Sequence, residues 1–269
     1  MAQNKFHLMS NKAFQVTILG SGTSQGVPVI ACDCEVCKSK NPKDNRLRSS
    51  IVLTIDGLNY VIDAGPDFRQ QMLRANIQEL EAIIFTHQHK DHLAGLDDVR
   101  AYNFKQNKDM KIYCDERVNE ALHREYEYIF SSFKYPGIPR LDIQIVDKDS
   151  TIDLQKDVTI QPIEVIHYKL PVLGYRFQQF AYVTDANFIA EEEKAKLQNL
   201  DVLIINALRR EEHVSHFNLK QALELIDELK PKQAYLTHIS HLMGLHEEVS
   251  AELPSNVFLA YDGLELDFN

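Results

Sequence analysis

Short apolar runs at 14–19, 51–55, 59–62, 82–85, 111–113, 158–166, 175–177, 180–183, 202–205, 234–236 and 257–260 have the length and flanks of buried strands. Asp56-Gly57, between the second and third runs, is a hairpin-turn signal. Helical stretches are expected at 66–75, 92–104, 116–130, 190–198 and 219–229. Pro66 stands where a first helical turn tolerates proline. In the last stretch Leu219, Ala222, Leu223, Leu225, Ile226 and Leu229 form one apolar face, and Pro231 stops it. Strands dominate early and alternate with helices later, which is the pattern of sheets covered by helices, a layered α/β sandwich. No repeat, low-complexity tract or long polar linker divides the chain, so a single domain over 1–269 is expected.

The strand-like runs share a second regularity. Three end in Thr followed by a potential ligand: Phe85-Thr86-His87, Val183-Thr184-Asp185 and Leu236-Thr237-His238. A fourth ends Val61-Ile62-Asp63. Ligand-type residues just past buried strands converge on one edge of a sheet, a rigid platform for a site. Polar residues also mark strand ends without any function. Four such ends with His and Asp recurring favour a shared site.

Composition narrows the partners. With 269 residues, 44% of them hydrophobic, the chain builds an ordinary core without disulfides. Lys and Arg number 29 against 39 Asp and Glu, a net charge of −10, which disfavours gripping a nucleic-acid backbone. No apolar run approaches the roughly 20 residues of a membrane-spanning helix. The opening MAQNKFHLMS lacks a basic-then-apolar signal pattern, so a cytoplasmic protein is expected. In a reducing compartment its four cysteines read as metal ligands or buried thiols before disulfides.

The chemistry concentrates in Thr86-His87-Gln88-His89-Lys90-Asp91-His92, which reads H-x-H-x-D-H. Three imidazoles and a carboxylate packed so closely are costly to desolvate unless a cation pairs with them. Neutral imidazole and carboxylate suit zinc, and also manganese, nickel or iron. His87 and His89 are placed to hold one metal from an extended strand end. Asp91 and His92 are placed to hold a second from the start of the next helix.

Cys32, Cys34 and Cys37 read C-x-C-x-x-C, three thiolates short of the four ligands of a closed tetrahedral zinc. His241, three residues beyond His238, is the natural fourth. Such a closed site is structural and pins the loop at about 20–40 beside the site. Cys114, ending an apolar run, reads as a buried free thiol.

H-x-H-x-D-H after a buried strand resembles the signature of the metallo-β-lactamase superfamily, over nearly the whole chain. The resemblance implies an αββα sandwich, two mixed β-sheets flanked by helices. It implies that Asp63 orients a metal-bound histidine from behind. His167 then completes the first metal site, Asp185 bridges the two metals, and His238 is the last ligand of the second. Gly20-Ser21-Gly22-Thr23-Ser24, the cysteine cluster and Leu236-Thr237-His238-Ile239-Ser240-His241 resemble one branch more closely. That is the PhnP-like branch, which contains phosphoribosyl cyclic phosphate phosphodiesterases and is related to RNase Z. The stretch 259–265 looks like its C-terminal strand pair, and a homodimer is that branch's default.

The resemblance implies a metal-dependent phosphodiesterase acting on a small, cyclic-ribose-type phosphodiester through a metal-bridging hydroxide. Asp91 and Asp185 fall among the catalytic groups. His216 matches the general-acid histidine, with His213 as local competitor. Arg46, Arg48 and Lys90 are candidate phosphate contacts. The turn-rich stretch 131–141 reads equally as a lid or as an ordinary loop. Competing readings are a tRNA-processing nuclease, an ester or lactam hydrolase, and a metal-binding protein without catalysis.

Overall fold

The computed structural model describes residues 12–133, 135–155 and 157–269. The first half of the chain contributes β1 (Phe14–Gly20), β2 (Ser50–Ile55), β3 (Leu58–Ile62), β4 (Ala82–Ile84), β5 (Met110–Cys114) and β6 (Leu141–Ile145). The second half contributes β7 (Ile152–Gln155), β8 (Val158–His167), β9 (Leu170–Phe177), β10 (Phe180–Val183), β11 (Val202–Asn206), β12 (Gln233–Thr237) and β13 (Val257–Leu259). β14 (Glu265–Phe268) returns to the first half. The result is two seven-stranded sheets, ordered β14-β1-β2-β3-β4-β5-β6 and β13-β12-β11-β10-β9-β8-β7. Both are mixed: β3 to β6 and β10 to β13 run parallel, and the remaining pairs antiparallel.

Strand alternation explains the layers. Val16, Ile18, Ile51, Leu53, Tyr60, Ile62 and Ile84 point into the core between the sheets, where they meet Tyr175, Phe180, Tyr182 and Ile204. Their neighbours Leu19, Val52, Val61 and Ile83 point outward and are covered by Phe68, Met72, Leu93, Val118 and Leu122 of the flanking helices. On the far side Ala181, Val183, Leu203 and Ile205 lie under Ala222, Leu225, Ile226 and Leu229. Strands buried on both faces read as unbroken apolar runs, which is why they stand out in the sequence. The helix Leu219–Leu229 forms where expected, opened by a reciprocal cap between Asn218 and Gln221. The Asp56-Gly57 turn has φ of 52° and 79°, both left-handed, as a two-residue hairpin requires.

Several boundaries differ from expectation, each for a local reason. The helix expected at 92–104 is broken into Lys90–Leu93, a 3₁₀ turn at Leu96–Val99, and Arg100–Gln106. The break falls at Gly95, whose N–H donates to Ala64 O at 2.8 Å, and where a Cβ would lie 2.0 Å from Gly65 O. The helix expected at 116–130 divides at Tyr126. The one expected from Pro66 starts at Phe68 after Asp67, and 190–198 resolves into Glu191–Lys194 and a 3₁₀ turn at Ala195–Leu197. The strand pair expected at 259–265 is not one pair: β13 and β14 lie in different sheets. β6 and β7 escape the sequence pattern because they are half-polar edge strands. The helices Glu35–Lys38 and His246–Glu252 were also not anticipated; they are short, and the second follows a glycine. Among the described residues no helix is long and apolar enough to cross a membrane.

Candidate metal centre

Five of the expected site residues sit at or just past the ends of β3, β4, β8, β10 and β12: Asp63, His87, His167, Asp185 and His238. Asp63, Asp185 and His238 have φ of 67°, 56° and 56°. Non-glycine residues rarely adopt this left-handed region, and such strain gathers at functional sites. His89, Asp91 and His92 follow on the turn into Lys90–Leu93. That turn is clamped against the β3 end, because Ala64 N–H donates to His92 O at 2.8 Å. At Gly65 a Cβ would lie 1.9 Å from Asp91 O, so only glycine allows the approach.

The side chains gather as two groups. His87, His89 and His167 bring one donor atom each within 4.8 Å of one another, and so do Asp91, His92, Asp185 and His238. Within the second group, Asp185 Oδ2 lies 3.2 Å from His92 Nε2 and its Oδ1 lies 3.2 Å from His238 Nε2, and Asp185 also brings a donor atom within 4.8 Å of His167 of the first group.

Hydrogen bonding fixes which nitrogen each ring offers. Asp63 Oδ2 accepts from His92 Nδ1 at 2.7 Å. Thr86 Oγ1 donates to Asp63 at 2.8 Å and so accepts from His87 Nδ1 at 3.0 Å. Ser215 O accepts from His167 Nδ1 at 2.7 Å. Ser49 Oγ donates to Gly22 O at 2.9 Å and accepts from His238 Nδ1 at 3.1 Å. Each of these four rings, when neutral, therefore turns a bare Nε2 lone pair inward. The Nε2 atoms of His87 and His92 are buried with no hydrogen-bond partner. Buried lone pairs aimed at one another and at carboxylates are repulsive on their own. A divalent cation resolves this, so the donor set fits metal ions at both groups.

Electrostatics agree. Burial holds His87 well below the ordinary histidine range and brings His238 to about 3, so both rings are neutral. Burial also lowers His167. His92 is the exception: burial opposes its charge, but Asp91, Asp185 and Asp63 outweigh burial and raise it well above the ordinary value. Asp185 is lowered well below the carboxylate range despite burial, chiefly by His238 and His92. The pocket is built to attract positive charge.

The second cluster also comes together. One donor atom each from Cys32, Cys34, Cys37 and His241 lies within 4.8 Å of the others, with His241 Nδ1 3.3 Å from both Cys32 Sγ and Cys34 Sγ. The set fits closed tetrahedral zinc, where thiolates lie about 2.3 Å from the ion. Hydrogen bonding from Cys37 N–H and then His241 lowers Cys34 to about 6, favouring its thiolate. His241 shares the turn after β12 with His238, and that turn is tied to the Gly20–Ser24 loop by Ile239 N–H to Ser21 O at 2.9 Å. Cys114 is buried and free, its thiol pushed up to about 12 by burial.

His216 lies on the loop before Leu219–Leu229, buried, with Nε2 2.9 Å from Asp185 Oδ1 and its ring stacked on His238. His213 stands behind it, the two Nδ1 atoms 3.2 Å apart. The three candidate phosphate contacts are engaged elsewhere. Arg46 is buried, donating to Ser21 Oγ and Ala260 O and approaching His246 Nδ1 at 3.2 Å. Arg48 donates to Asp67 and to Ser24 O. Lys90 pairs with Glu125. The stretch approaching β6 packs on the helix Arg100–Gln106, with Arg140 N–H donating to Asn103 Oδ1 at 2.9 Å. Sequence reasoning missed Ser49, Ser215 and the roles of the threonines. Thr86 and Thr184, which bonds Asp185 Oδ2 at 2.7 Å, explain why Thr precedes a ligand at those strand ends.

Comparison with known proteins agrees with this architecture. A beta-lactamase superfamily domain model matches residues 58–239. A crystal structure described as a new diphosphatase from the PhnP family is 39% identical, with a TM-score of 0.89, covering 95% of this chain and 97% of that one. An octanoyltransferase from Porphyromonas gingivalis is 39% identical over 250 residues, 92% of this chain and 50% of that protein, so the chain spans about half the length of that relative. Zinc-bound PqqB from Methylobacterium extorquens, 19% identical, has a TM-score of 0.79 over 94% of this chain and all of its own, which shows the shared fold.

Proposed function

The chain belongs to the β-lactamase superfamily, in its PhnP family, and from that premise we propose that this hydrolase is a two-metal-dependent phosphodiesterase for a small phosphodiester, of the cyclic ribose phosphate type. One observation carries the reading. Four imidazoles whose bare nitrogens are fixed from behind, with Asp91 and Asp185, converge in a strained cluster at the ends of both sheets.

His87, His89 and His167 would hold one divalent ion, zinc or manganese, and Asp91, His92 and His238 a second, with Asp185 between them. Such a pair supplies Lewis-acid activation of a phosphoryl oxygen and of water near neutral pH. The protein's own part is orientation and proton transfer. Asp63 and Thr86 fix the rings of His92 and His87. Asp185 is held as a carboxylate by His238, His92 and His216. His216 would give its Nε2 proton to the departing alkoxide, and Asp185 Oδ1, 2.9 Å away, aims that nitrogen. Cys32, Cys34, Cys37 and His241 would hold a structural zinc, which would brace the loop beside Thr23, whose hydroxyl lies 3.1 Å from His238 Nε2.

A second reading has one observation in its favour: the 39%-identical PhnP-family structure is described as a diphosphatase. Cleavage would then fall on a P–O–P bridge, by the same groups. The test assays manganese- and zinc-loaded protein on a chromogenic phosphodiester, the matching monoester and a diphosphate diester. Cleavage of the phosphodiester without the monoester supports the first reading, and preference for the diphosphate supports the second. With both metal groups filled, no cleavage of any of the three sinks both.

A further inference from the structure

Resting on the reading in which a phosphodiester binds to metal ions held by the clustered ligands, we propose that Thr23 is a further catalytic residue. Its hydroxyl donates a hydrogen bond to a non-bridging phosphoryl oxygen of the substrate at the Asp91, His92, Asp185 and His238 group. The case begins with the loop that carries it. Ser21, Gly22 and Thr23 are wedged between the approach to β2 and the turn after β12, and Gly22 bridges Arg48 on one side and Ile239 on the other. A Cβ at Gly22 would lie 2.9 Å from Arg46 O, so the loop passes closer than a side chain allows.

All six backbone polar groups of these three residues are engaged in that wedge. Ser21 N–H donates to Asp262 Oδ1 at 2.9 Å, and Ser21 O accepts from Ile239 N–H at 2.9 Å. Gly22 N–H donates to Leu47 O at 2.8 Å, and Gly22 O accepts from Ser49 Oγ at 2.9 Å. Thr23 N–H donates to Ile239 O at 3.1 Å, and Thr23 O accepts from Gly26 N–H at 2.8 Å. The Ser21 hydroxyl is engaged too, accepting from the buried Arg46 and donating to Asp262 at 2.8 Å.

The Thr23 hydroxyl takes no part in this frame. Thr23 is only 7% exposed, and among the described residues its hydroxyl has one hydrogen-bond partner, His238 Nε2 at 3.1 Å. That nitrogen is the atom His238 would give to a metal ion. Once it is so committed, the hydroxyl proton has no acceptor left in the protein, and an unpaired buried donor is costly. An anionic oxygen bound at the same group supplies the missing acceptor. The loop is fixed before substrate arrives, so the donor is preorganised for charge that grows on the phosphoryl oxygens. The nearby basic side chains do not take this role, because Arg46, Arg48 and Lys90 are bonded within the protein.

The test compares the manganese-loaded full chain with Thr23→Val, which keeps the shape without the hydroxyl, Thr23→Ala, which avoids any misfit of the added methyl, and Thr23→Ser, which keeps the hydroxyl. Electron paramagnetic resonance measures manganese affinity, calorimetric titration measures affinity for inorganic phosphate, and a phosphodiester reports kcat. Thr23→Val and Thr23→Ala should hold manganese as tightly as the unmodified protein. They should bind phosphate about tenfold more weakly, the loss of one hydrogen bond to a charged group. Their kcat should fall about a hundredfold, as when one donor to a developing oxyanion is removed. Thr23→Ser should recover most of both losses. Unchanged phosphate affinity in Thr23→Val and Thr23→Ala overturns the proposal, and so does a fall in manganese affinity large enough to account for the weaker phosphate binding. If the unmodified protein, with both metal groups filled, neither binds phosphate nor cleaves a diester, the phosphodiesterase reading falls first, and the proposal falls with its premise.

Discussion

His92 Nδ1 donates to Asp63 Oδ2 across 2.7 Å, and neither side chain reaches solvent. Asp63 also accepts the backbone N–H of Thr86 at 2.8 Å and its hydroxyl, and that hydroxyl accepts from His87. One carboxylate therefore orients a histidine in each metal-binding group. Burial raises the pKa of Asp63, while His92 and Thr86 pull it back, so its charge depends on these partners.

Asp63→Asn keeps the shape and loses the charge and an acceptor. The amide cannot accept from both His92 and Thr86, and its N–H₂ faces donors. The variant should stay folded by circular dichroism, and its affinity for manganese or zinc should fall about tenfold to a hundredfold. Competition against a chromophoric chelator measures this; unchanged affinity would mean that Asp63 serves the fold alone.

Cys37→Ser tests the second cluster. It removes one of four donors that lie within 4.8 Å of one another. The purified variant should carry one less tightly held zinc per chain and melt lower. A cost of about 2 kcal/mol corresponds to roughly 4–8 °C for a domain of this size. Metal analysis and calorimetry report both; an unchanged zinc content would exclude the site.

His246 gives a pH dependence away from the metal centre. Burial, Arg46 and Lys43 bring its pKa down to about 4. Its folded value lies below its unfolded one, near 6.5. The stability it contributes is therefore fully present above pH 6.5 and is lost as pH falls toward 4, because the unfolded chain takes up the proton first. Zinc-loaded protein should lose stability in urea between pH 7 and pH 5, and His246→Gln should lose less. Parallel losses in the two proteins would place the acid sensitivity elsewhere.

The site was legible where its chemistry is contiguous or sits at a strand end. His87, His89, Asp91 and His92 lie within one short segment, and Asp63, Asp185 and His238 each follow a run buried on both faces. Metal binding demands specific donor types, and these stand out against apolar flanks. The groups that fix those donors were not legible. Ser49, 189 positions from His238, and Ser215, 48 from His167, are ordinary hydroxyl residues until the fold places them. Arg46 illustrates the converse. Its charge suggested a phosphate contact, but only the fold reveals the internal acceptors that surround it. For the fold, the doubly buried strands were visible. The half-polar edges β6 and β7 were not, because one solvated face erases the apolar run.

The central claim is that two metals act together around Asp185. The most direct measurement titrates protein stripped of its active-site metals, with the cysteine-bound zinc retained, against manganese, following phosphodiester cleavage and electron paramagnetic resonance together. The account predicts that activity rises with the second equivalent alongside a spin-coupled manganese pair, and that both are lost in Asp185→Ala. Full activity at one equivalent, or undiminished activity in metal-loaded Asp185→Ala, would contradict it.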